Sequence, residues 1–302
     1  MFLRHNKKIK YHLLTLFCVI VWGATFVSSK VLLNNGMSPS GIFFIRFSIA
    51  YLFMWLLNRK IFAQSFKDEM LLLLLGITGG SVYFLAENEA IRLTYAYNVA
   101  IILGITPLIT AISISLFFKQ IKLTKKLLFG SLLAILGIVF VVMNGHFVLK
   151  ISPKGDILTL AAAIVWGIYT VIFKVLENKY PLAFITRKIF FYGILTIFPV
   201  ILLEKMMVPA GEQALPSFQF LTQPLILFNL LFLGIVASLL CYLIWNFALK
   251  KLGVITTSNY LYFIPIITLI TSYVILDEKI TFVAIAGILL ITAGVYWAER
   301  KT

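Results

Sequence analysis

The sequence predicts an all-α membrane protein of ten transmembrane helices, built as two five-helix repeats that lie inverted in the membrane. Three observations carry this expectation. Of the 302 residues 61% are hydrophobic and only 12% are charged, with 27 Phe and a mean hydropathy of +1.02. Soluble domains carry about twice that charged fraction, and a water-soluble fold has no use for so much apolar surface. Second, the stretch from Val21 to Asn34 (VWGATFVSSKVLLN) returns 144 positions later as Val165 to Asn178 (VWGIYTVIFKVLEN), with eight of fourteen positions identical. Third, five spanning segments can be placed in each half, and an odd number turns the second half upside down. Inverted repeats of this kind are a transporter architecture, with the substrate site near the midplane between the halves.

A spanning helix needs roughly 20 apolar residues. Such segments run at about 12–33, 39–57, 70–90, 96–118, 126–144, 156–176, 182–203, 225–249, 255–276 and 281–298. Arg4, Lys7, Lys8 and Lys10 before the first segment resemble the start of a signal peptide. The apolar run that follows is long enough to span, and no small-residue cleavage site comes after it, so it reads as a retained helix. Connections are short except at about 204–223, where Pro209, Gly211, Pro216 and three charges read as a polar external loop. The halves divide at 1–145 and 146–302.

The net charge of +15 could suggest nucleic acid, but in a membrane chain it reads as a loop bias. With the N-terminus inside, sixteen Lys and Arg fall on the cytoplasmic side and five on the other. The positive-inside rule then puts both termini in the cytoplasm, in a bacterial-type inner membrane. The positive loops suit anionic lipid headgroups. Cys18 and Cys241 lie in apolar runs and read as small buried hydrophobes. His5, His12 and His146 have no metal-ligand spacing. No nucleophile–base pair, phosphate loop or carboxylate cluster appears, so neither an intramembrane enzyme nor a self-contained ATP-driven pump is expected, and no cofactor is called for.

The repeat extends further. Pro107-Leu108-Ile109-Thr110-Ala111-Ile112 matches Pro265-Ile266-Ile267-Thr268-Leu269-Ile270, and Asn88 and Ala90 match Asn246 and Ala248. After a one-residue slip, Gly130 and Gly137 match Gly287 and Gly294. The Trp-Gly pairs of helices 1 and 6, the mid-helix prolines of helices 4 and 9, the Ala90-Ile91-Arg92 and Ala248-Leu249-Lys250 that precede them, and the turn Asp277-Glu278-Lys279-Ile280-Thr281 together resemble the EamA branch of the drug/metabolite transporter superfamily. The likeness covers nearly all of both halves. One departure is Lys119-Gln120-Ile121-Lys122 where the first acidic turn would sit, so Glu278 is given no functional role. The resemblance implies a ten-helix basket around a central cavity that opens alternately to each side. It also implies small polar or amphipathic metabolites as substrates, amino acids or related compounds among them, and export more often than import. An importer of the same fold, or a membrane scaffold or sensor that transports nothing, are the alternatives. Protons are a candidate coupling ion, and a monomer is the expected state.

The candidate cavity residues are named on physical grounds. Trp22 and Trp166 lie about ten residues into their helices, deeper than the interfacial belts where Trp collects; they read as paired cavity walls or as packing. Gly23 and Gly167 let a neighbouring backbone approach. With Pro107 and Pro265, which remove a backbone donor in mid-helix, they form the kink or gating set. Arg46 sits near mid-membrane, where an unpaired charge costs at least ~2.5 kcal/mol. It reads as a counter-ion for a substrate carboxylate, or else as a structural pair or a snorkelling side chain. Arg187 and Lys188 follow Pro181 as Arg46 follows Pro39. Tyr83 and Glu87 share a helix face, with Asn88 next to Glu87. Glu87 or Glu89 is a candidate proton-coupling carboxylate, or a hydrated surface group. In helix 8, Tyr242, Trp245 and Asn246 form a polar–aromatic stripe with Ser238. Asn98 in helix 4, with Asn259 and Tyr262 in helix 9, adds polarity just before the prolines.

Overall fold

A computed structural model of the chain describes residues 2–60, 62–94, 96–119, 122–143, 152–207, 221, 223–276 and 280–299. The 145/146 division, most of the 204–223 loop, the Asp277-Glu278-Lys279 turn and the side chain of Asn98 lie outside the described residues. Ten helices are long and apolar enough to cross a membrane: α1 (Ile9–Asn34), α2 (Pro39–Leu57), α3 (Phe66–Leu93), α4 (Val99–Phe117), α5 (Lys125–Met143), α6 (Pro153–Leu176), α7 (Leu182–Glu204), α8 (Pro224–Leu252), α9 (Val254–Thr271) and α10 (Phe282–Glu299). They follow the predicted segments closely because hydropathy sets span length directly.

The helix starts are chemically marked. Ser38 caps α2 by accepting from the Gly41 amide at 3.0 Å, with Pro39 in the first turn. Ser65 caps α3 by accepting from Asp68 N at 3.1 Å. Side chains with hydroxyl oxygens and early prolines suit these positions because the first amides of a helix have no internal acceptor. A single residue, Gly253, joins α8 to α9 at φ +91°, a backbone region that favours glycine.

The inversion is visible in the packing. α5 and α10, equivalent helices of the two halves, run against each other with Gly130 facing Gly294 and Gly137 facing Gly287. As one number rises the other falls, so equivalent helices are antiparallel. Elsewhere the pairings exchange between halves: α1 packs on α8 and α9, while its counterpart α6 packs on α3 and α4. Likewise α2 packs on α8 where α7 packs on α3, and α2 meets α7 at the centre. Each half is completed by helices of the other. Large side chains such as Leu116, Phe117, Phe129, Leu132, Phe282 and Leu289 are exposed on the outside. That surface fits a lipid environment, in which the interior is set by close packing and polar contacts and hydrophobicity does not separate inside from out.

Four helices depart from regularity, in equivalent pairs. α3 contains a π-helical turn at Ile77–Ser81, with Gly80 outside helical angles, and α8 contains one at Phe232–Leu240. α4 is interrupted at Gly104-Ile105, two residues before Pro107, and α9 tightens to a 3₁₀ segment at Tyr260–Phe263, just before Pro265. Proline cannot donate to the preceding turn, which explains the second pair; π-turns are often found at functional sites. By contrast α1 and α6 run unbroken through Gly23 and Gly167. These glycines do not kink their helices. They admit Ile267 of α9 and Ile109 of α4, where an added Cβ would come to 2.8 Å and 3.1 Å respectively.

Candidate functional site

The irregular parts of α3, α4, α8 and α9 meet α1, α2 and α6 around one cavity. Trp22, Thr25 and Phe26 come from α1, Arg46 from α2, and Tyr83, Phe84 and Glu87 from α3. Ala100, Leu103, Gly104 and Thr106 of α4, Trp166 of α6, Tyr242 of α8 and Leu261, Ile264 and Pro265 of α9 complete the wall. The empty space amounts to about 670 Å³ with its open mouth included. The α3 and α4 residues belong to the ends nearest the α3–α4 turn, so the cavity lies toward that end of the bundle.

Six aromatic side chains line it, and four of them carry its polar edges. Trp22 and Trp166 meet edge to face with centroids 6.0 Å apart, Tyr83 lies 5.0 Å from Trp166, and Tyr242 lies 6.2 Å from Trp22. Such tilted and edge-on pairs are the favoured geometry for rings with opposed face and edge charge. The Trp22 indole N–H donates to the Ala237 carbonyl at 3.0 Å. The Tyr242 hydroxyl donates to the Gly79 carbonyl. Both carbonyls belong to the π-turns.

Two opposite charges share this aromatic space. Arg46 is buried, its Nε donates to Ser238 Oγ at 2.9 Å, and its guanidinium lies 4.4 Å above the Phe84 ring. Among the described residues it forms no ion pair. Glu87 accepts from the Tyr83 hydroxyl at 3.0 Å and has no cation partner among the described residues. Glu89 is different: it is bound to Arg92 on the surface.

The second-half counterparts of Arg46 are used otherwise. Lys188 pairs with Glu69, which also accepts from Tyr192, and Arg187 donates to the Lys60 carbonyl. Asp68 accepts from Lys179 at 2.9 Å and from Tyr180 at 2.9 Å. This cluster ties the start of α3 to the α6–α7 turn and to α7, at the end of the bundle away from the cavity. Lys188→Met leaves the Glu69 carboxylate without its cation. A buried pair broken this way costs ~3–5 kcal/mol, but 20% of the Glu69 side chain is exposed. A loss of about 2 kcal/mol is therefore expected, read as a lower unfolding midpoint in detergent.

Of the residues named from sequence, the cavity brings together Trp22, Arg46, Tyr83, Glu87, Trp166, Tyr242 and Pro265. The others lie behind or away from it. Trp245 is buried against Trp22, with ring centroids 4.8 Å apart. Asn246 accepts from the Tyr169 hydroxyl at 2.6 Å and donates to Thr186 at 2.9 Å, fastening α8 to α6 and α7. Asn88 is fully buried. Asn259 donates to Glu299 at the end of α10, and Tyr262 packs in the apolar cluster around α5 and α10. Pro107 is buried and outside the lining. These residues had to be polar or aromatic to look like site residues, but helix–helix packing has the same appetite for such side chains. Thr25, Phe26, Phe84, Leu261, Ile264 and the α4 residues Ala100, Leu103, Gly104 and Thr106 were missed. The only sequence signal for them was the Gly104-x-Thr106-Pro107 run, which marks a broken helix.

A family model described as the EamA-like transporter family matches residues 9–143 and again 153–299. The chain belongs to that family. Among EamA-like relatives, an uncharacterized transporter of Archaeoglobus fulgidus is 26% identical, with 97% of this chain and 98% of the relative covered. A probable amino-acid metabolite efflux pump of Salmonella typhimurium is 28% identical over 94% and 92%. A probable terminal-alkyne amino-acid exporter of Streptantibioticus cattleyicolor is 25% identical over 94% and 91%. A solved crystal structure aligns at a TM-score of 0.72 with 16% identity, covering 96% of this chain and 98% of that one, which speaks to the EamA fold alone. The chain is thus a multi-pass membrane transporter of the EamA-like family, and the resemblance read from its motifs holds.

Proposed function

We propose that this transporter exports amino acids or closely related zwitterions by alternating access. The halves 1–145 and 146–302 rock against each other, both termini face the cytoplasm of a bacterial-type inner membrane, and the chain works as a monomer. One observation carries the reading: Arg46 and Glu87, neither in an ion pair among the described residues, face one aromatic cavity. A cation and an anion that share a space at membrane depth without closing into an ion pair are costly, and a ligand bearing the complementary pair offsets that cost. Arg46 takes the carboxylate, Glu87 the ammonium, and the rings of Trp22, Trp166, Tyr83 and Tyr242 the side chain, by stacking and cation–π contact. Relatives named as amino-acid exporters support the same class.

The test is counterflow in proteoliposomes with a panel of labelled amino acids and, beside each, the amine that lacks the carboxylate. Zwitterions are expected to exchange, and the matching amines to move at least ~10-fold more slowly, as befits loss of one charge-assisted contact. A pH gradient imposed on the same vesicles tests protons as the driving ion. If nothing in the panel moves with or without that gradient, the reading is wrong; equal rates for amine and zwitterion would remove Arg46 from it.

A further inference from the structure

The two halves use their equivalent tryptophans differently. Trp22 donates its indole N–H to the Ala237 carbonyl in the π-turn of α8. With Asn88 equivalent to Asn246, the counterpart of Ala237 is Gly79, in the π-turn of α3. Symmetry would therefore have Trp166 donate to Gly79. Instead the Gly79 carbonyl accepts from the Tyr242 hydroxyl. That hydroxyl has no equivalent in the first half, where the matching residue is Phe84. The Trp166 N–H has no partner among the described residues, although the residue is only 5% exposed.

A buried N–H without an acceptor is rare and unfavourable, and here the acceptor it lacks is close by. Gly79 packs on Tyr169, one turn from Trp166, so tightly that an added Cβ would reach the Tyr169 ring at 2.3 Å. The Trp166 and Tyr242 rings are 6.3 Å apart. In a transporter of two inverted repeats the halves rock against each other around a fixed site, and the pseudo-symmetry makes an exchange of their conformations the direct route to the state facing the other side. Trp166 then stands to Gly79 as Trp22 now stands to Ala237. We propose that the Gly79 carbonyl is a shared acceptor, held by the Tyr242 hydroxyl in this state and by the Trp166 indole N–H in the state facing the opposite side. The present state thereby has two aromatic-to-carbonyl bonds, from Trp22 and Tyr242, and the opposite state has one, from Trp166. Tyr242 is a positioning residue that biases the resting protein toward the conformation seen here.

The inference rests on the alternating-access reading above, but its test reads accessibility and not flux, so the two fail separately. Leu103 lines the cavity near the α3–α4 turn, and the native Cys18 and Cys241 are fully buried. In the full chain carrying Leu103→Cys, labelling by a membrane-impermeant thiol reagent reports the population with the cavity open to that side. Tyr242→Phe removes one bond from this state only and is expected to lower the ratio of this state to the opposite one about fivefold, read as reduced labelling, the effect of one net hydrogen bond. Trp166→Phe removes the bond of the opposite state and leaves labelling unchanged or higher. In the double variant each state loses one bond, and labelling returns to within about twofold of the parent. Trp22→Phe lowers labelling as Tyr242→Phe does, and stands in if that variant does not fold. The proposal is overturned if Tyr242→Phe leaves labelling unchanged, if Trp166→Phe lowers it equally, or if the double variant stays low.

Discussion

Arg46→Gln is expected to cut zwitterion flux about 100-fold, equivalent to the ~2–5 kcal/mol lost when one partner of a buried charge pair is removed. The protein itself is expected to remain at least as stable. These two outcomes belong together. Arg46 has one side-chain hydrogen bond, to Ser238, and a ring beneath it, and no ion pair among the described residues. Removing the Arg46 charge breaks no ion pair and relieves the cost of holding a charge at membrane depth, which outweighs the lost through-space attraction to Glu87. A structural role predicts the reverse, with the unfolding midpoint falling and flux falling only as far as folded protein is lost. Measuring both quantities on one preparation decides the matter. Arg46→Lys keeps the charge but not the planar fork that grips a carboxylate with two parallel bonds, so it is expected to recover only part of the flux. Lys188→Met supplies the contrast: its equivalent position is committed to Glu69, so that change acts on stability.

Gly137→Leu is expected to destabilise the folded chain by about 3 kcal/mol or more, at the upper end of overpacking effects. Gly137 and Gly287 pack backbone to backbone: a Cβ at either would lie 2.6 Å from the other's carbonyl oxygen. A flexible side chain could give way at such a contact, but two helix backbones cannot, so α5 and α10 must separate along their length. Gly130 and Gly294 repeat the arrangement two turns away, at 2.5 and 2.6 Å. The measurement is the unfolding midpoint in detergent, compared with Leu132→Ala on the exposed face of α5, which is expected to stay within ~0.5 kcal/mol of the parent. A midpoint for Gly137→Leu equal to the parent's would show that the seam is not what holds these helices.

The sequence alone determined the parts that obey one-dimensional rules. Ten spans were legible because bilayer thickness converts directly into a count of apolar residues. The inversion was legible because five is odd and the halves share Trp-Gly, proline and glycine positions at fixed spacing. The cavity was half legible: Trp22, Trp166, Tyr83, Glu87, Tyr242 and Arg46 stood out by being polar or bulky at depth. What sequence could not do was tell those residues from Trp245, Asn246, Asn259 and Tyr262, which look the same and serve to join helices. Depth along a helix is readable from position, but which way a side chain faces depends on which neighbours pack around it, and here those neighbours come from the other half of the chain. For the same reason only the tertiary structure separated Arg46, in no ion pair among the described residues, from Lys188, which pairs with Glu69. It also set apart two tryptophans that share the Val-Trp-Gly motif, one with its N–H bound to the Ala237 carbonyl and the other with the equivalent Gly79 carbonyl already taken by Tyr242.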